Sequence, residues 1–171
     1  RTEAVNCLGV NSDGQEFRIL EPFLDDPNPG VRCACAAVLL NSGELSINVH
    51  AGNLFYEFLH SDDPEHRREA VVCLSRIRNL DTALITGELL GDPDDTIRRE
   101  AIHSIDEAKL ESTFGRLTGL ITEEPLRPAI TACLQGIGKP AAELIGQHLD
   151  TIKYSDAPET FRLLTHLLIE T

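Results

Sequence analysis

Apolar positions along this chain recur with a helical period. Ala70, Val71, Leu74, Ile77 and, further on, Ala101, Ile102, Ile105, Ala108 fall three or four residues apart, which gathers them on one face of an α-helix. No segment sustains the two-residue alternation of a half-buried strand. A second amphipathic stretch lies upstream of each such helix, at residues 17–24, 54–59, 80–90 and 114–121. Between the two stretches sit turns rich in Asp and Pro. Asn28-Pro29, Asp63-Pro64 and Asp92-Pro93 each read as a helix start: the Asn or Asp oxygen accepts from a free N–H of the first turn, and Pro takes the first helical position, where its missing N–H costs nothing. Gly43, Gly138 and the region around Asn79 supply breaks between units.

The turn and its following helix repeat. Asp26-Pro27-Asn28-Pro29-Gly30-Val31-Arg32-Cys33-Ala34, Asp63-Pro64-Glu65-His66-Arg67-Arg68-Glu69-Ala70 and Asp92-Pro93-Asp94-Asp95-Thr96-Ile97-Arg98-Arg99-Glu100-Ala101 align, with a weaker copy at Glu124-Pro125-Leu126-Arg127-Pro128-Ala129. The anchor alanines Ala4, Ala34, Ala70, Ala101 and Ala129 are 30, 36, 31 and 28 residues apart, a period that fits a two-helix unit. The expectation is an all-α chain forming a single repeat domain over 1–171: a partial repeat at 1–10, then repeats at roughly 15–42, 48–79, 80–108, 111–138 and 139–171. The chain opens on a lone second helix and contains no Met, so a domain excised from a longer chain is expected.

The Asp-Pro turn, the Arg, the Ala and the period together resemble HEAT-like repeats, the short armadillo-type form also seen in phycobilisome-lyase-like proteins. The resemblance covers most of the chain, best at 60–108 and more loosely at 110–171. It implies a right-handed α-α superhelix, a HEAT-like solenoid of about five antiparallel helix pairs. In that family the second helices line the concave face. The implied role is a non-catalytic scaffold or protein–protein interaction module. Two other readings go with the resemblance: a cytosolic regulatory module of a larger membrane carrier or signalling protein, and an enzyme of the phycobilisome-lyase-like kind.

Composition narrows the choice. Apolar residues are 42% and charged residues 25% of the 171, the balance of a folded globular chain. No run approaches the ~20 apolar residues of a membrane span, so direct membrane insertion is not expected. Twenty-eight Asp and Glu against fifteen Lys and Arg give a net charge of −13, which disfavours nucleic acid, where phosphate neutralisation drives affinity. The expected partner is a protein or another domain of the same chain. Cys7, Cys33, Cys35, Cys73 and Cys133 are odd in number and irregular in spacing, unlike a disulfide framework; on a helix Cys33 and Cys35 would point ~200° apart. Reduced, buried thiols suit a cytoplasmic setting. The six histidines form no HxxxH or HExxH pair, and Gly136-Ile137-Gly138-Lys139 lacks the spacing and the Ser/Thr of a P-loop. No catalytic residue, cofactor or metal ligand is expected.

Counted from each anchor alanine, positions −1, +2 and +6 share a helix face within ~60°, opposite the buried stripe. Unit by unit they are Glu3, Asn6, Val10; Cys33, Ala36, Leu40; Glu69, Val72, Arg76; Glu100, His103, Glu107; and Pro128, Thr131, Gln135. The second set is wholly apolar. Val10, Cys33, Ala36, Leu40 and Val72 would therefore form an apolar docking patch, unless residues 42–52 or a missing neighbour cover it. Arg76 and His103 would extend the partner face. The repeated charges have two readings, a basic stripe that catches an anionic partner or an internal ladder. The ladder would join Asp26, Asp63 and Asp92 to Arg32, Arg68 and Arg99, and its carboxylates at helix N-termini would match the macrodipole.

Overall fold

The computed structural model describes residues 17–77, 82–154 and 156–170. They form ten α-helices and two short 3₁₀ turns, with no strand among the described residues. The chain divides into two compact units, Arg1–Thr82 and Ala83–Thr171. The expected partial repeat at 1–10, with Val10, lies outside the described residues.

In the first unit, α1 (Phe17–Leu20) runs into a 3₁₀ turn (Glu21–Asp25), followed by α2 (Pro29–Leu39), α3 (Leu45–Leu59) and α4 (Pro64–Cys73), which a 3₁₀ turn (Leu74–Arg76) extends. Two predicted caps form. The Asn28 side chain accepts from the Val31 N–H at 3.1 Å, and Asp63 accepts from the Glu65 N–H at 3.0 Å. Helix α2 is buried along nearly its whole length, because the 3₁₀ turn before it, α3 and α4 all pack against it. Helix α3 is longer than the stretch at 54–59 suggested. It buries Ile47, Ala51, Phe55 and Phe58 but exposes Leu45, Val49 and Tyr56, and apolar residues on both faces blur the helical period.

In the second unit, α5 (Ala83–Leu89), α7 (Glu107–Leu120) and α9 (Lys139–Thr151) are first helices, and α6 (Asp95–His103), α8 (Arg127–Ile137) and α10 (Pro158–Glu170) are second helices. First helices pack on first helices in series, second helices do the same, and each hairpin closes on itself. That two-layer stack of nearest neighbours is the packing of a helical repeat. The third start signal falls two residues later than Asp92-Pro93 indicated. Asp94 caps α6, accepting from the Thr96 N–H at 2.7 Å, while the Asp92 carboxylate accepts from the Asp94 N–H at 2.9 Å and shapes the turn. Gly138, at φ 73°, ψ −128°, joins α8 to α9 in a backbone region essentially restricted to glycine.

The anchor alanines of the second helices are buried. Ala34, Ala70 and Ala101 have no exposed surface, so a larger side chain there would force the helices apart. Ile102, Leu110, Leu117, Ile121, Leu126 and Ile130 fill the second unit's core. By contrast, Gly119 on α7 is exposed, and a Cβ built there meets nothing within 4 Å. Gly119→Ala should raise the free energy of unfolding by about 1 kcal/mol through helix propensity alone. Urea titration reads this directly, and an unchanged midpoint would contradict it.

Candidate functional site

Three groups of side chains could carry function: the expected apolar patch, the repeated arginines, and a groove in the second unit.

The apolar patch is not open. Cys33 and Ala36 are fully buried and Leu40 is 5% exposed. A Cβ on Gly52 of α3 would lie 3.7 Å from Leu40 Cδ2, so residues 42–52, mostly the first turns of α3 rather than a loop, pack over that end. Glu69 of α4 sits over Gly30 at the start of α2, where a Cβ would meet its Oε2 at 3.0 Å. The second set is apolar because the same chain covers it. Val72 alone of the described members is exposed, at 42%. Arg76 is half-buried and turned inward, its Nη1 donating to Cys73 Sγ at 3.4 Å, and Asn41 Nδ2 donates to the Arg76 carbonyl at 2.8 Å.

Around Arg76 the thiols are tuned in opposite directions. The Cys33 thiol donates to Cys73, and this bond, followed by burial, pushes Cys33 up. The same bond, helped by Arg76, holds Cys73 below its ordinary value against the opposing effect of burial. Burial pushes Cys35 up to about 12. With Cys33, Cys35 and Cys73 all enclosed, these thiols behave as core residues.

The arginines contact backbone more than carboxylate. Arg32 Nη1 donates to the Asp26 carbonyl at 2.8 Å and the Pro27 carbonyl at 3.4 Å. Arg67 repeats this with Ser61 and Asp62 at 2.8 and 3.2 Å, and Arg127 with Ile121 and Thr122 at 3.1 and 3.2 Å. Each reaches five and six residues back to carbonyls freed where the preceding first helix ends, a favourable place for a cation. Arg98 differs: it pairs with Asp95 and, at 2.9 Å, with Glu123 Oε2. The expected ladder members Arg68 and Arg99 are exposed. Arg68 comes only to 3.9 Å from Glu65, and Arg99 Nη2 lies 3.5 Å from Thr96 Oγ1. Asp26, Asp63 and Asp92 use a side-chain oxygen on backbone N–H groups of their own turns. The sequence put the rungs one residue late in two units, because paired arginines look equivalent until the helix start fixes which one faces the turn.

The groove lies between α6 and α8. Ile102, Ile105, Ala132, Cys133, Gly136 and Ile137 supply an apolar floor, and His103, Asp106 and Glu107 form one rim, around a volume of about 540 Å³. The tight α6–α7 connection sets that rim. Asp106 caps α7 through the Lys109 N–H at 3.1 Å, and Lys109 Nζ binds Asp106 Oδ2 at 2.8 Å and the Ser104 carbonyl at 3.1 Å. Burial raises the Asp106 carboxyl, but Lys109's ammonium and backbone N–H together with Asp106's own amide outweigh it and hold the group below its ordinary value. Across the groove, Cys133 Sγ lies 3.9 Å from the Ile105 carbonyl, and burial pushes its thiol up to about 11. Gly136 leaves the groove open, since a Cβ there meets nothing within 4 Å. Of the residues singled out as partner-facing, His103 is the one that lines this groove. Cys133 and Gly136 were not singled out; they belong to the next repeat, and nothing periodic marks them.

A family profile of HEAT repeats matches residues 53–138, half of the chain. The chain belongs to the HEAT-repeat family. HEAT repeats generally mediate protein–protein interaction or scaffolding and are typically non-enzymatic. No curated protein matches the sequence. Among the described residues no helix is long and apolar enough to cross a membrane, and no three His, Cys, Asp or Glu side chains are grouped to hold a metal ion.

Proposed function

We propose that this HEAT-repeat chain is a protein-recognition module whose partner docks on the second-helix face of residues 83–171, in the groove between α6 and α8. The observation that carries this reading is the groove itself: an apolar floor, a polar rim and a volume of about 540 Å³, dimensions suited to one or two inserted side chains. Its floor is made by two successive second helices, so the site needs the stack and not one hairpin.

Gly136→Tyr tests the reading. The new side chain enters the groove without meeting other atoms at its Cβ, and replacing a helical glycine favours the fold. The variant should melt no lower than the parent and lose a partner that the parent captures. Equal capture by both proteins would place the partner elsewhere.

A further inference from the structure

The charges around this groove point to the chemistry of its occupant, an inference that rests on the docking reading above. Residues 83–171 carry fifteen Asp and Glu against eight Lys and Arg. The unit's cations are largely engaged internally. Arg98 is held by Asp95 and Glu123, Lys109 by Asp106, and Arg127 by two carbonyls and Glu159, while Lys139 makes only an exposed pair with Glu143 at 3.7 Å. Arg116 donates to the Gly87 carbonyl. The groove face is the opposite case. Glu107 lines it and Glu100 stands one turn before His103 on α6. Among the described residues neither pairs with a cation, and no Lys or Arg lines the groove.

We infer that the groove takes a peptide segment of a partner protein that inserts an apolar side chain onto Ile102, Ile105 and Ile137 and sets a Lys or Arg beside it against Glu100 and Glu107. The apolar anchor supplies the buried contact. The cation answers carboxylates that none of the described residues neutralises, raising the rate of encounter and excluding acidic segments. An acidic or purely apolar segment would leave Glu107 without a partner at the edge of a desolvated contact.

Selection from displayed random twelve-residue peptides on the whole chain, with removal of every peptide that also binds Gly136→Tyr, separates groove binding from diffuse attraction, because both proteins have the same net charge. The expected survivors carry Lys or Arg next to a Leu, Ile, Phe or Met. Synthesised and measured by fluorescence anisotropy, they should bind Gly136→Tyr and Ala132→Tyr at least about tenfold more weakly than the parent. They should bind the Glu100→Gln, Glu107→Gln double variant several-fold more weakly, with a flatter dependence on salt. Survivors that are acidic or uncharged would overturn the cationic class while leaving the docking reading in place. No survivor of any composition would overturn both.

Discussion

Leu117→Ala should lower the free energy of unfolding by about 2–5 kcal/mol, the range for truncating a fully enclosed leucine. Leu117 has no exposed surface, and its helix, α7, packs against α5, α8, α9 and α10. Neighbours on several sides cannot all relax into the space left by the missing atoms, so the cost should exceed simple transfer of the lost methyl groups. The control is Leu45→Ala on α3. Leu45 is 80% exposed, and its loss should change stability by less than about 0.5 kcal/mol. Urea denaturation measures both, and a shifted midpoint with unchanged slope identifies a true stability change. Equal effects of the two substitutions would contradict the placement of α7 at the centre of its unit.

Leu117 also shows what the sequence could and could not say. Its place in a first helix follows from the amphipathic stretch at 114–121, and α7 indeed buries Phe114, Leu117 and Thr118 there. Helices and family were readable because the small anchor residue and the apolar stripe recur from unit to unit, three second helices start on an Asn or Asp cap, and repetition averages out local noise. Where one unit departs from that recurrence, the pattern said less. Helix α3 begins at Leu45, well before the stretch at 54–59; exposed Leu45 and Val49 beside buried Ile47 and Ala51 blur the period in its first turns. By sequence the apolar set Cys33, Ala36 and Leu40 could be an exposed patch or one covered by residues 42–52, since the other units are mostly polar there. In this unit α2 lies beneath α3 and α4, and the positions are core. The groove escaped notice for a related reason. It depends on one glycine, Gly136, opposite one tight connection, Ser104 to Asp106, and a single juxtaposition leaves no periodic trace.

Arg32→Ala should cost about 2–4 kcal/mol. Its guanidinium donates to the carbonyls of Asp26 and Pro27, charge-assisted bonds of roughly 1.5–3 kcal/mol. It also lies 5.5 Å from the centroid of the Phe58 ring, a contact of about 0.5–2 kcal/mol. The contributions overlap, because one side chain makes them all, so the sum is an upper bound. Arg32→Lys separates this cap from a simple ionic rung. An ammonium keeps the charge near the acidic turn but has neither the flat face that lies over Phe58 nor the planar fork of donors, and it should recover less than half of the loss. Were the carboxylates of the turn the true partners, lysine would restore most of the stability and added salt would erase the difference between parent and alanine variant. The companion substitution Arg68→Ala should matter little, since Arg68 is 51% exposed and only 3.9 Å from an exposed Glu65, the geometry of a surface pair contributing less than about 0.5 kcal/mol. A ranking with Arg68 above Arg32 would return the repeated arginines to the carboxylate ladder and remove the backbone-capping role from the repeat.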